Sequence, residues 1–157
     1  MSERKKWVKI LDQLWQRNCR VNNYYRMATG AVRDQKLKQA LLSYATCRAQ
    51  FSFELFQRIN NIAAETSVKK GQNLSKGSAL PLSLSEENIG RILQKCISAE
   101  KDCLAEYSRA LTRVNDGITR EILIRHRARI TSIIRELQHL YALLSIPGEN
   151  KNSSILN

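Results

Sequence analysis

TSVKKGQNLSKGSALPLS, residues 66–83, decides how this chain folds. Ser, Gly and Lys dominate it, Pro81 sits near its end, and no apolar spacing is sustained through it. It therefore reads as a loop, and a long one. Extended, it reaches ~55 Å, more than the ~45 Å of a 30-residue helix. Such a connection can carry the chain from one end of a bundle back to the other.

Helical periodicity flanks the loop on both sides. From about Arg4 to Ala28, the residues Trp7, Leu11, Leu14, Val21, Tyr25 and Ala28 share one face, with Asn18 among them. From about Asp34 to Ala64 the face is Leu37, Leu41, Tyr44, Cys47, Phe51, Leu55, Ile59 and Ile62, and Asp34 suits the cap. Both keep the three-or-four spacing of a helix packed on one side. Thr29, Gly30 and Asp34 suit a tight turn between them. After the loop, SLSEE at 83–87 offers Ser83 or Ser85 as a cap, with Glu86 and Glu87 in the first turn. The third face is Ile89, Leu93, Cys96, Glu100, Cys103, Tyr107, Leu111 and Val114. Asn115, Asp116 and Gly117 make a turn, and the fourth face is Ile118, Ile122, His126, Ile130, Ile133, Leu137, Leu140 and Leu144. Two helical hairpins joined by a long crossover form an all-α four-helix bundle. It is read as one domain over 1–146, with 147–157 as a flexible tail.

The 157 residues suffice for one domain with a core. Two prolines and six glycines suit long helices. No apolar run is long enough to insert in a membrane. MSERKKW lacks the apolar stretch of a secretory signal, so a cytoplasmic location is expected. Cysteines 19, 47, 96 and 103 show no metal-type spacing and read as reduced, small apolar residues. The formal net charge of +12 permits anionic partners without establishing them.

Asn18, Glu100 and His126 stand where the period asks for apolar side chains, each near the middle of its helix. A buried polar group needs a partner. Glu100 accepting from His126 and Asn18 would make a closed cluster; the alternatives are a thin metal site and exposure at the core edge.

Three runs carry a resemblance: LWQRNCRVNNYYRMA (14–28), LLSYATCRAQFSFEL (41–55) and ILQKCISAEKDCLAEYSRAL (92–111). In this order, over most of the chain, they resemble the bacterial ferritin-like family catalogued as domain of unknown function 2383. The resemblance implies a ferritin-like four-helix bundle with the ferritin-type crossover and no assigned activity. Ferritin-like metal proteins bring Glu from two helices and Glu-x-x-His from the other two. By the same resemblance, the matching positions here are Asn23, Thr46, the stretch Ile97-Ser98-Ala99-Glu100, and Ile134 with Arg129. Nothing in the chain reads Glu-x-x-His, and the remaining carboxylates are too few to neutralise two cations. No metal ligands and no cofactor are therefore assigned.

Lys5, Lys9, Arg125, Arg127 and Arg129 are the marked basic positions, on helices one and four. A solvated surface is one reading; an anion-facing stripe across those two helices is the other. Trp7, Trp15 and Tyr24 offer aromatic surface for bases, for a second copy, or for the core. No glycine-rich phosphate loop, GxSxG or HExxH occurs, and Cys103 with His126 makes a thiol–imidazole pair only if they touch. The expectation is a non-enzymatic bundle acting as a partner-binding or structural module, with a protein partner or a second copy on its surface. The alternatives are a degenerate metal-binding protein and a binder of nucleic acid or another polyanion.

Overall fold

The computed structural model describes residues 2–66 and 88–144. They form α1 (Glu3–Ala31), α2 (Gln35–Thr66), α3 (Ile89–Arg113) and α4 (Gly117–Leu144), and no strand occurs among the described residues. Short side chains fix the helix starts by accepting backbone N–H groups that have no partner within the helix. Ser2 Oγ accepts from Lys5 N at 3.3 Å, Asp34 Oδ2 from Leu37 N at 3.0 Å, Asn88 Oδ1 from Arg91 N at 3.0 Å and Asp116 Oδ2 from Thr119 N at 2.9 Å. Helix α1 continues through Thr29 and Gly30 to Ala31, which confines the turn to residues 32–34. Helix α2 runs two residues past Ala64, to Thr66. The remainder of the expected loop, the restart at 83–87 and the tail 147–157 lie outside the described residues.

Helix α1 packs on α2 and on α3, and α4 packs on α2 and on α3; α1 and α4 are diagonal, as are α2 and α3. Cross-helix contacts fix the directions. Arg4 meets Glu65 and Cys19 meets Ser52, so α1 and α2 are antiparallel. Arg17 meets Glu106 and Tyr25 meets Glu100, so α1 and α3 are antiparallel. Arg58 meets Thr119 and Tyr44 meets Glu136, which makes α2 and α4 antiparallel. Helices α2 and α3 therefore run the same way, and Thr66 and Asn88 lie at opposite ends of the bundle. A short turn does not join such ends. This up-down-down-up order is the ferritin-like arrangement of two hairpins and a crossover.

Two apolar clusters fill the interior. One holds Val8, Leu11, Leu14, Leu55, Ile62, Leu111, Leu123 and Ile130. The other holds Val21, Tyr25, Ala28, Leu37, Leu41, Tyr44, Leu93, Cys96 and Leu137. Some expected core positions shift. Cys47 and Ile122 are only partly buried, with Leu123 inward beside the latter, and Ile118 is 60 % exposed while Thr119 takes the inward place that Ile118 was assigned. Thr119 is accommodated because Arg58 Nε donates to its hydroxyl at 2.9 Å. Arg58 also holds Asp116 at 2.8 Å, tying the α3–α4 turn to α2.

Candidate functional site

Between the two apolar clusters lies a polar layer. Asn18, Arg48, Glu100 and His126 are all at 0 % exposure. Arg48 was not among the residues expected inside, yet it is the hub. Its Nη2 pairs with Glu100 Oε1, and its Nη1 donates to Asn18 Oδ1 at 2.5 Å and to Cys103 Sγ at 3.3 Å. Its guanidinium carbon lies 5.7 Å from the Phe51 ring centroid, within cation–π reach. The hydroxyl of Tyr25 donates to Glu100 Oε2. Burial opposes the charge of Arg48, but Cys103, Tyr107 and Tyr25 beside it more than compensate, and the guanidinium titrates above its ordinary value.

The expected meeting of Glu100 with His126 does not occur. Glu100 is held by Arg48 and Tyr25, while His126 belongs to a chain of hydrogen bonds that begins at the same arginine. Arg48 donates to Asn18 Oδ1, and Asn18 Nδ2 donates to the Tyr107 hydroxyl at 2.9 Å and to Leu14 O at 2.8 Å. Tyr107 Oη lies 2.9 Å from His126 Nδ1, and His126 Nε2 lies 2.8 Å from Glu54 Oε1. An ionised carboxylate only accepts, so Nε2 carries the proton and Nδ1 accepts from Tyr107. Every link then runs in one direction, with a neutral imidazole in the middle.

Burial, the largest influence, pushes the His126 pKa down to about 4 against the pull of Glu54, so the ring is neutral near pH 7. Burial raises the Glu54 carboxyl, but hydrogen bonds from His126 and Arg125 outweigh it and hold that group below the ordinary range. Phe51 stacks on the imidazole at 3.7 Å between centroids, fixing its plane. Cys103 Sγ faces Arg48, and both His126 nitrogens are engaged elsewhere, so the thiol–imidazole pair considered from the sequence is not formed. At the surface end, Glu54 is 25 % exposed and Arg125 Nη1 reaches it at 3.0 Å.

The di-iron centre of ferritin-like metal proteins does not fit these residues. Asn23 and Thr46, offered as ligand counterparts, face outward. Two residues further along each helix, Tyr25 and Arg48 are the side chains that enter the polar layer. The oxygens of Glu100 are taken, and a metal cation there would face a fixed guanidinium at close range. Among the described residues, no group of three or more His, Cys, Asp or Glu side chains is gathered to hold a metal ion.

The basic positions also separate. Helices α1 and α4 are diagonal, so a single stripe across them does not exist. Arg125 is paired with Glu54, Arg129 with Glu136 at 3.0 Å, and Arg127 is partly buried. Lys5 and Lys9 are exposed on α1. Tyr24 is buried, and Trp15 packs on Phe56 of α2 at 6.2 Å within the same chain. Trp7 is the partly exposed aromatic that remains on the basic side of α1. No helix among the described residues is long and apolar enough to cross a membrane.

The arrangement defines an all-α bundle of ferritin-like order with an arginine-centred layer. No family model, curated protein or solved structure matches this chain.

Proposed function

We propose that this chain is a non-enzymatic binding module: a ferritin-like shell whose interior serves the fold and whose exterior meets the partner. The observation that carries the reading is the fully buried Arg48–Glu100 pair. In a ferritin-like protein that layer would supply carboxylates to metal cations; here a side-chain cation from α2 supplies the counter-charge to α3. Removing a metal-binding duty from the core leaves the outer surface to carry recognition. The three quoted runs support placing the chain as a divergent relative of the bacterial ferritin-like family named above. Four free thiols support a reducing, cytoplasmic setting.

The test is elemental analysis of untagged protein grown in iron-, manganese- and zinc-replete medium and purified without chelator. The expected result is metal far below one ion per chain, and unfolding that these ions do not shift. Near-stoichiometric metal that disappears in Glu100→Gln would overturn the reading.

A further inference from the structure

The face shared by α1 and α3 carries a concentration of unpaired charge among the described residues. Two adjoining clefts run along it, of about 390 and 600 Å³, both bordered by Ile10, Gln13 and Arg113. Together they extend along α1 from Glu3 to Arg20, ~25 Å at the helical rise. Lys6, Lys9, Arg20, Arg109 and Arg113 line this trough, and among the described residues none of the five is ion-paired with a carboxylate. Its acids are Glu3, at one end, and Glu106, which Arg17 Nε already holds at 2.8 Å. Five unpaired cations facing one concave strip repel one another and are relieved by an anion laid between them.

We infer that this α1–α3 trough binds single-stranded nucleic acid, with Lys6, Lys9, Arg20, Arg109 and Arg113 on the phosphates and Trp7 stacking a base. The inference rests on the reading that the chain acts through its exterior, and it names the partner class. Three features favour a single strand. The surface is a trough between two helices, whereas reading a duplex requires an element that protrudes into a groove ~12 Å wide. The cations follow the length of the trough on both walls, as a backbone track requires, and ~25 Å accommodates about four nucleotides, the low end of single-strand site sizes. Trp7 lines the same trough and its ring is partly exposed, which offers a stacking platform that a purely acidic peptide would not use. Among the described residues, the exposed large apolar side chains Met27, Leu42, Phe53, Ile118 and Ile124 all lie outside the trough, so it lacks the apolar band of a lipid-seeking surface.

The experiment is fluorescence anisotropy on the full chain, with labelled single-stranded RNA and DNA 12-mers, their duplexes, and a poly-glutamate peptide, over a salt series. Single strands are expected to bind more tightly than duplexes or poly-glutamate, and affinity should fall linearly with salt on logarithmic axes. Lys6→Glu/Lys9→Glu and Arg109→Glu/Arg113→Glu should each weaken single-strand binding by at least about tenfold with folding unchanged. Trp7→Ala should weaken it by about five- to a hundredfold, the range of one stacked base, and Trp7→Phe should restore most of the loss. The control reverses two charges on α4, Arg127→Glu/Arg135→Glu. Equal weakening by that control would reduce the effect to diffuse charge and overturn the site. Poly-glutamate binding as tightly as the strands, or no binding at low salt, would overturn it too. None of these failures touches the reading of the interior, which the metal analysis tests separately.

Discussion

The polar layer and the α1–α3 trough both concentrate arginine, and they treat it in opposite ways. In the layer, Arg48 has given up all its water; Glu100, Asn18 and Cys103 take its place at the two terminal nitrogens, and Nε has no hydrogen-bond partner among the described residues. In the trough, Arg109 and Arg113 are exposed and Arg20 is partly exposed, and none of the three is ion-paired with a carboxylate among the described residues. A buried charge is tolerated only when paired, so pairing in the interior reports on folding. An exposed charge folds equally well with or without a partner, so a row of unpaired cations reports on what the surface meets.

The contrast is sharpest when Arg48 is removed. Arg48→Met strands Glu100 as an unpaired buried carboxylate, and unfolding in urea should show a loss of about 3–5 kcal/mol. Arg48→Met/Glu100→Gln should regain most of that loss, because Gln still accepts from Tyr25 and no charge is left alone. A double variant as unstable as the single one would mean that the layer depends on Arg48 for packing rather than charge.

Acid should act next in size. The His126 pKa is pushed down to about 4, whereas an unfolded histidine titrates near 6.5. Between those values the unfolded chain binds the extra proton, so stability falls as pH drops from about 6.5 to about 4, by roughly 3 kcal/mol in all. The loss levels off below that window. Glu54 and Asp116 titrate below their ordinary values, so their contributions are lost at more acidic pH as each carboxylate protonates. Equilibrium unfolding across pH should therefore lose its slope above about pH 5 in His126→Gln. A slope that persists there would assign it to other groups.

Smaller effects belong to the surface. Arg125 is 54 % exposed, so Arg125→Ala should lower stability by about 1 kcal/mol or less, most visibly at low salt. Lys6→Gln/Lys9→Gln should change it by no more than about 0.5 kcal/mol. Both lysines lie near the start of α1, where positive charge opposes the helix dipole. A large destabilisation by either change would erase the distinction between layer and trough.

Arg48 shows why the layer was only half legible. At 100° per residue, it lies about 40° from Tyr44, on the side of Leu41 and Ile59, while Cys47 lies about 60° off on the other side. The angle placed Arg48 in the stripe; its charge argued for the outside, and the cysteine was assigned in its stead. Thr119 and Ile118 repeat the lesson at the start of α4, where the inward angle belongs to the threonine. Glu54 followed no pattern, since a half-buried acid reaching a buried histidine on another helix has no periodic signature.

The sequence by itself determined four helices, their apolar faces, and the presence of Asn18, Glu100 and His126 inside, because periodicity and capping are local and each helix carries its own record. Tertiary structure decided which helices are neighbours. Only the diagonal placement of α1 and α4 dissolves the expected basic stripe, and only the contact of α1 with α3 assembles the trough. Only the convergence of α1, α2 and α3 turns Arg48 into the partner of Glu100. Electrostatic pairing depends on distances between segments far apart in the chain, and those distances exist only once the bundle has closed.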